Sequence, residues 1–123
     1  MKGKPQNQTD SLKHLTRAAL AFRDQRDWRQ FHTPKELAIS LAVESAELLQ
    51  LMQWWKPNDL KRIIRRKHPL IRDELADVFF SVLLLADDLK IDLGKAFLEK
   101  LKKTATKYPV HKSKGSPRKY TEL

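Results

Sequence analysis

Two stretches of this chain have helical periodicity, and in each a pair of carboxylates occupies positions where the pattern calls for apolar residues. In ELAISLAVESAELLQLMQWW, residues 36–55, Glu44 and Glu47 fall at 100° per residue on the stripe that also carries Leu37, Ser40, Leu41, Leu48, Leu51 and Trp54. In PLIRDELADVFFSVLLLA, Glu74 and Asp77 share a face with Leu70, Ile71, Val78 and Ser81. Burying an unpaired carboxylate costs several kcal/mol, and neither face offers a Lys, Arg or His to offset it. The chain therefore has to set two helices against each other with four acids gathered around something positive. A hard cation is the simplest candidate.

The remaining chain supports an all-α fold. Thr9 or Asp10 can cap a first helix with the stripe Leu12, Leu15, Ala19 and Phe22, running to about Asp27. A ring-rich connection, DWRQFHT, follows. Thr33, Pro34 and Glu36 then give a hydroxyl cap, a proline at the first helical position and a glutamate three residues after the cap. The second helix is expected to stop at Lys56-Pro57. A short basic helix near 59–66, capped by Asn58, leads to a long helix over roughly 69–89, with Asp87 and Asp88 as solvated surface acids. A fourth long helix, about 93–107, starts at Asp92 and turns Ala96, Phe97, Leu101 and Ala105 inward. The expectation is a four-helix bundle with one extra short helix: residues 1–8 disordered, 9–108 the helical domain, and 109–123 an irregular basic tail packed on the domain or on a neighbouring subunit.

Composition narrows the chemistry. A chain of 123 residues suits a single domain. With no cysteine it has neither disulfides nor thiolate metal sites, and it fits the cytoplasm, the expected compartment. The N-terminal segment lacks a secretory core and no apolar run reaches membrane-spanning length. Three glycines leave no phosphate-binding glycine loop, and the four histidines have no zinc spacing. A net charge of +10 attracts polyanions of every kind without choosing among them. A basic helical module binding nucleic acid through Lys61, Arg62, Arg65, Arg66, Lys67 and the tail is the alternative function. It leaves the inward carboxylates unexplained and has no recognition helix, so neither nucleic acid nor membrane is the expected partner.

The acidic constellation is E-x-x-E in one helix and E-x-x-D in the next long one. Residues three apart are neighbours on a helix surface, and antiparallel packing would bring the pairs face to face, as in metal sites of helical bundles. An all-oxygen set favours magnesium, with manganese as the alternative, over zinc or iron. Magnesium commonly completes its shell with waters and phosphate oxygens, which points to phosphate chemistry.

Glu44-Ser45-Ala46-Glu47, followed after 26 residues by Glu74-Leu75-Ala76-Asp77, resembles the signature of the MazG-like all-α nucleoside triphosphate pyrophosphohydrolases. The flanking RDWRQFHTPKELAISLAVESAELLQLMQW and the tail KYPVHKSKGSPRKYTEL are similar to the dCTP pyrophosphatase branch, over roughly residues 10–123. The resemblance implies magnesium-dependent cleavage of a (d)NTP, dCTP or a related or modified dNTP, to the monophosphate and pyrophosphate, as nucleotide-pool house-cleaning. It implies Glu44, Glu47, Glu74 and Asp77 as metal ligands and catalytic residues, one of the glutamates orienting or deprotonating the attacking water. Trp28, Phe31, His32 and Trp54 would form the base pocket, and Lys100 would lie near the triphosphate. A homodimer or homotetramer is implied as well. Ala19, Ser81 and Thr104 depart from the histidine, tyrosine and asparagine of the eukaryotic dCTP enzymes. They leave cleavage in place and put the preference for dCTP in question; Ser81 and Thr104 remain candidate substrate contacts.

Overall fold

A computed structural model describes residues 11–123; the segment expected to be disordered and the candidate caps Thr9 and Asp10 lie outside the described residues. All regular structure among them is helical, as expected. Six helices follow in order: α1 (Leu12–Asp24), α2 (Pro34–Gln50), α3 (Pro57–Arg66), α4 (His68–Asp88), α5 (Leu93–Lys107) and the single turn α6 (Val110–Ser113). Isolated 3-10 turns occupy Arg29–Phe31 and Tyr120–Glu122. No described helix is long and apolar enough to cross a membrane.

The chain divides into two compact units, one ending at Lys90 and the other beginning at Ile91. In the first, α4 is the central element and packs against α1, α2 and α3. Leu37 of α2, Leu84 of α4 and Ala19 of α1 form its buried centre, with Leu20, Phe80 and Leu85 packed around them. Leu84 is wholly excluded from solvent. At one level Leu37 lies by Leu84; further along α2, Glu44 lies by Asp77 and Glu74. Partner numbers fall on α4 as they rise on α2, so the two helices run antiparallel. In the second unit, the edge of Tyr108 meets Tyr120 at 5.8 Å and Lys107 Nζ sits 4.9 Å over the Tyr120 ring. These contacts return the tail to the end of α5, so the tail expected to be irregular carries local structure.

The helix starts follow the sequence signals. The Thr33 hydroxyl accepts from Glu36 N at 3.3 Å and Asp92 from Lys95 N at 3.1 Å. Several other boundaries are corrected. Ser11 caps α1, accepting from His14 N, and α1 ends at Asp24 because the chain turns through a left-handed Asp27 (φ 52°). The second helix ends at Gln50, six residues before the expected stop. Met52 and Gln53 donate to Leu49 and Gln50 carbonyls, tightening the end, and Trp54 reverses direction at φ 73°. Lys67 Nζ, reaching across from the α3–α4 junction, donates to the freed Leu51 carbonyl at 3.2 Å. Asn58 does not cap α3: Pro57 already occupies the first turn, where its fixed φ suits a helix start. On α5, Phe97 and Leu101, expected inward, are at least half exposed.

Candidate active site

The antiparallel pairing of α2 and α4 determines what happens about two turns beyond the apolar centre. There Glu44, Glu74 and Asp77 each place a carboxylate oxygen within 4.8 Å of the other two. Glu44 and Glu74 are half-buried, and the Oε2 atom of each is cut off from solvent with no hydrogen-bond donor. Ionised carboxylates only accept, so these neighbours cannot satisfy one another. Only a shared proton or a cation can. In the protein alone the proton does part of this: desolvation, proton sharing with Glu47 and Glu74, and the charges of Glu47 and Asp77 push the Glu44 carboxyl up to about 7. Glu47 is adjacent to Glu44 but lies outside the tight trio and is exposed, on the flank of α2 that carries Val43, Ala46 and Leu49.

The trio fits a hard divalent cation. The donors are all carboxylate oxygen, two of them are orphaned in the interior, and no Lys, Arg or His pairs with them among the described residues.

A cleft of about 610 Å³ opens beside these acids, with Glu44 and Asp77 in its wall. Its rings come from three elements. Phe22 of α1 meets Trp28 edge-on at 5.7 Å and Phe80 of α4 at 5.9 Å, so three separate segments form one aromatic wall. His32 lies 6.1 Å from Trp28 and completes that side. Burial, and secondarily the Arg23 guanidinium, hold the His32 ring below its ordinary pKa, and its Nδ1 is buried without a partner. A neutral imidazole facing the cleft has one nitrogen free to donate or accept. Small residues make up the rest: Ala18, Ala19, Ser40, Ala76 and Ser81. Ala19 and Ser81 are both buried.

The residues singled out in the sequence thus separate. Trp28, His32 and Ser81 line the cleft with Glu44 and Asp77. Phe31 points outward, 61% exposed. Trp54 is not on the α2 stripe, because α2 has ended; it stands 89% exposed and away from the cleft lining. Lys100 is exposed and Thr104 half-buried on α5, in the second unit. Phe22 and Phe80 were not anticipated as cleft residues. Phe22 read as core because its helical stripe shows that it faces inward, and nothing local shows that the inside is a cleft there.

The sequence model of the MazG-like family matches residues 39–123, a span that includes all four acids. The chain belongs to the MazG-like family. Bovine dCTP pyrophosphatase 1 is 36% identical over 116 residues, an alignment covering 92% of this chain and 68% of that protein. Human dCTP pyrophosphatase 1 is 34% identical over 123 residues with the same coverage. Among solved structures, a pyrophosphatase from Archaeoglobus fulgidus superposes with a TM-score of 0.76 at 35% identity, covering 80% of this chain and 92% of that one. In this MazG-like chain the carboxylates stand beside a cleft wall to which the buried Ala19 and Ser81 supply little bulk.

Proposed function

We propose that this protein is a nucleoside triphosphate pyrophosphohydrolase whose reaction centre is the Glu44–Glu74–Asp77 trio at the wall of the aromatic cleft. Membership of the MazG-like family and the dCTP pyrophosphatase relatives support the hydrolase class. The observation that carries the site is the meeting of three carboxylate oxygens within 4.8 Å beside a cleft sized and lined for a nucleobase.

Glu44, Glu74 and Asp77 would hold magnesium, with manganese as the alternative. That ion would neutralise phosphate charge and make water more acidic. The protein's own groups do the rest. Phe22, Trp28 and Phe80 offer ring faces and edges to the base, a contact worth about 1–3 kcal/mol per stacked base in nucleic-acid systems. His32 and Ser81 offer the polar contacts. Glu47, beside Glu44 but outside the trio, is the carboxylate left to take a proton from the attacking water. That water's oxygen bonds to the α-phosphorus, the bond from the α-phosphorus to the bridging oxygen breaks, and pyrophosphate leaves. The substrate is a dNTP, dCTP or a related or modified one, and the role is house-cleaning of the nucleotide pool in the cytoplasm.

A homodimer or homotetramer fits the exposed apolar face of α2, where Ile39, Val43 and Leu49 point away from α4. Trp55 and Phe79 are exposed as well, whereas Phe80 is half-buried and Leu83 is buried within the chain. The test is a panel of dNTPs with magnesium or manganese, with products resolved by anion exchange. Monophosphate and pyrophosphate in equal amounts are expected; release of inorganic phosphate alone would overturn the assignment.

A further inference from the structure

Between α1 and α2 the chain turns sharply to bring Trp28 and His32 to the cleft, and backbone and Gln30 contacts fix that turn. Asp27 takes the left-handed φ of 52°, Gln30 Nε2 donates to its carbonyl at 3.0 Å and to its carboxylate at 3.1 Å, and Trp28 N donates to the Arg23 carbonyl at 3.1 Å. The Arg26 side chain takes no part in this. Its amide leaves the helical pattern and donates to Arg23 O at 3.2 Å, so the Phe22 carbonyl, near the end of α1, loses its helical donor. The Arg26 guanidinium supplies another, Nη1 to Phe22 O at 2.9 Å. There its central carbon stands 3.7 Å from the centre of the Phe22 ring and 6.0 Å from that of Trp28. Arg26 is exposed, lies outside the cleft lining and has no acid within ion-pair distance among the described residues.

We infer that Arg26 is a positioning residue for the aromatic wall of the cleft, holding Phe22 in the orientation against which a base stacks. The inference rests on the reading of that cleft as the base site. Phe22 is the ring that joins the other two, meeting Trp28 and Phe80 edge-on. It is nevertheless 42% exposed, so those neighbours alone leave it room to change rotamer. A guanidinium bound to both the carbonyl and the ring of one residue removes that freedom. A wall ordered before its ligand arrives loses less entropy on binding. A cation–π contact at an exposed site corresponds to about two- to fivefold in an equilibrium constant, and a planar guanidinium stacks on a ring better than an ammonium does. Direct contact with phosphate is the competing role for an exposed cation. Against it, this guanidinium already has one nitrogen on a carbonyl and one face on a ring.

The test is steady-state kinetics of Arg26→Gln and Arg26→Lys on the common dNTPs with magnesium, beside calorimetric titration of the full chain with the matching deoxynucleoside monophosphates. Arg26→Gln is expected to raise KM, and the monophosphate Kd with it, about fivefold for every base, while kcat stays within about twofold of the parent. Arg26→Lys keeps the charge and should recover part of that loss. Inhibition by inorganic tripolyphosphate, which has no base, should be unchanged. In the Phe22→Leu protein, Arg26→Gln should have no further effect, because the ring it positions is gone. A side chain that merely capped α1 would lower Tm and leave KM in place. With nucleotide binding intact in the parent, three results would overturn the inference: KM and Kd unmoved by Arg26→Gln; additive effects of Phe22→Leu and Arg26→Gln; or tripolyphosphate inhibition weakened as much as dNTP binding, which would place the guanidinium on phosphate. A parent protein that binds none of the monophosphates would instead remove the base-site reading, and this inference with it.

Discussion

The same two helices meet twice, with opposite chemistry. At Leu37 and Leu84, α2 and α4 close over apolar side chains with solvent removed; further along, they present Glu44 to Glu74 and Asp77. Backbone geometry is shared between the two levels, so the contrast lies in the side chains alone. The apolar level contributes stability to the protein as it stands. The acidic level opposes it, and only a ligand can turn that level to advantage. In this pair of helices, stability and function are separated along the axis rather than across the surface.

The largest effect should come from breaking the acidic level. Glu44→Gln or Asp77→Asn is expected to lower kcat/KM for the preferred dNTP by about a thousandfold, some 4 kcal/mol of transition-state stabilisation. The chelator-treated Glu44→Gln protein should melt at a higher temperature than the parent, because repulsion has been relieved. Near-full turnover in either variant would remove the trio from the reaction. Next comes the apolar level. Leu84→Ala should cost about 3 kcal/mol in chemical denaturation, while the folded fraction keeps its KM. A change in KM as large as the stability loss would mean that the two levels are not separable.

A third test uses pH. Because its folded-state pKa, about 7, lies above the unfolded value of 4.5, Glu44 favours folding in acid and loses that contribution as pH rises through about 7. Chelator-treated protein should therefore show a Tm that falls between about pH 5 and 8, and millimolar magnesium should flatten the profile. A Tm that rises over that range without metal would contradict the strained acidic level. The smallest effect sharpens the same contrast. Thr33→Ala removes the cap of α2 at the Leu37 end and should cost about 1 kcal/mol without altering magnesium affinity by calorimetry.

Local signals could be read from the sequence, and long-range ones only where charge made them conspicuous. Thr33-Pro34 and Asp92 gave the starts of α2 and α5, because a cap acts within three residues. The carboxylate trio was legible because four acids on apolar stripes have few physical outlets. The end of α2 was not. Leu51-Met52-Gln53 continues a helix-compatible pattern, and the reversal depends on Trp54 adopting a left-handed backbone that its residue type gives no reason to expect. The cleft wall was read only in part. Trp28 and His32 came from their family resemblance, whereas Phe22 and Phe80 become neighbours through packing between helices distant in sequence. On α5, the stripe that made Phe97 and Leu101 look interior has no cover within its own unit.

The Lys67 ammonium has a further consequence. By donating to the Leu51 carbonyl it fastens the loose end of α2 to the α3–α4 junction, so the hairpin between the two acidic helices is closed by one flexible side chain rather than by a rigid glycine turn. Such a latch opens by rotamer exchange instead of by unfolding. Amide protons at the end of α2 should therefore exchange with deuterium well ahead of those around Leu37, and the helix bearing Glu44 can adjust its reach at one end while the other stays fixed.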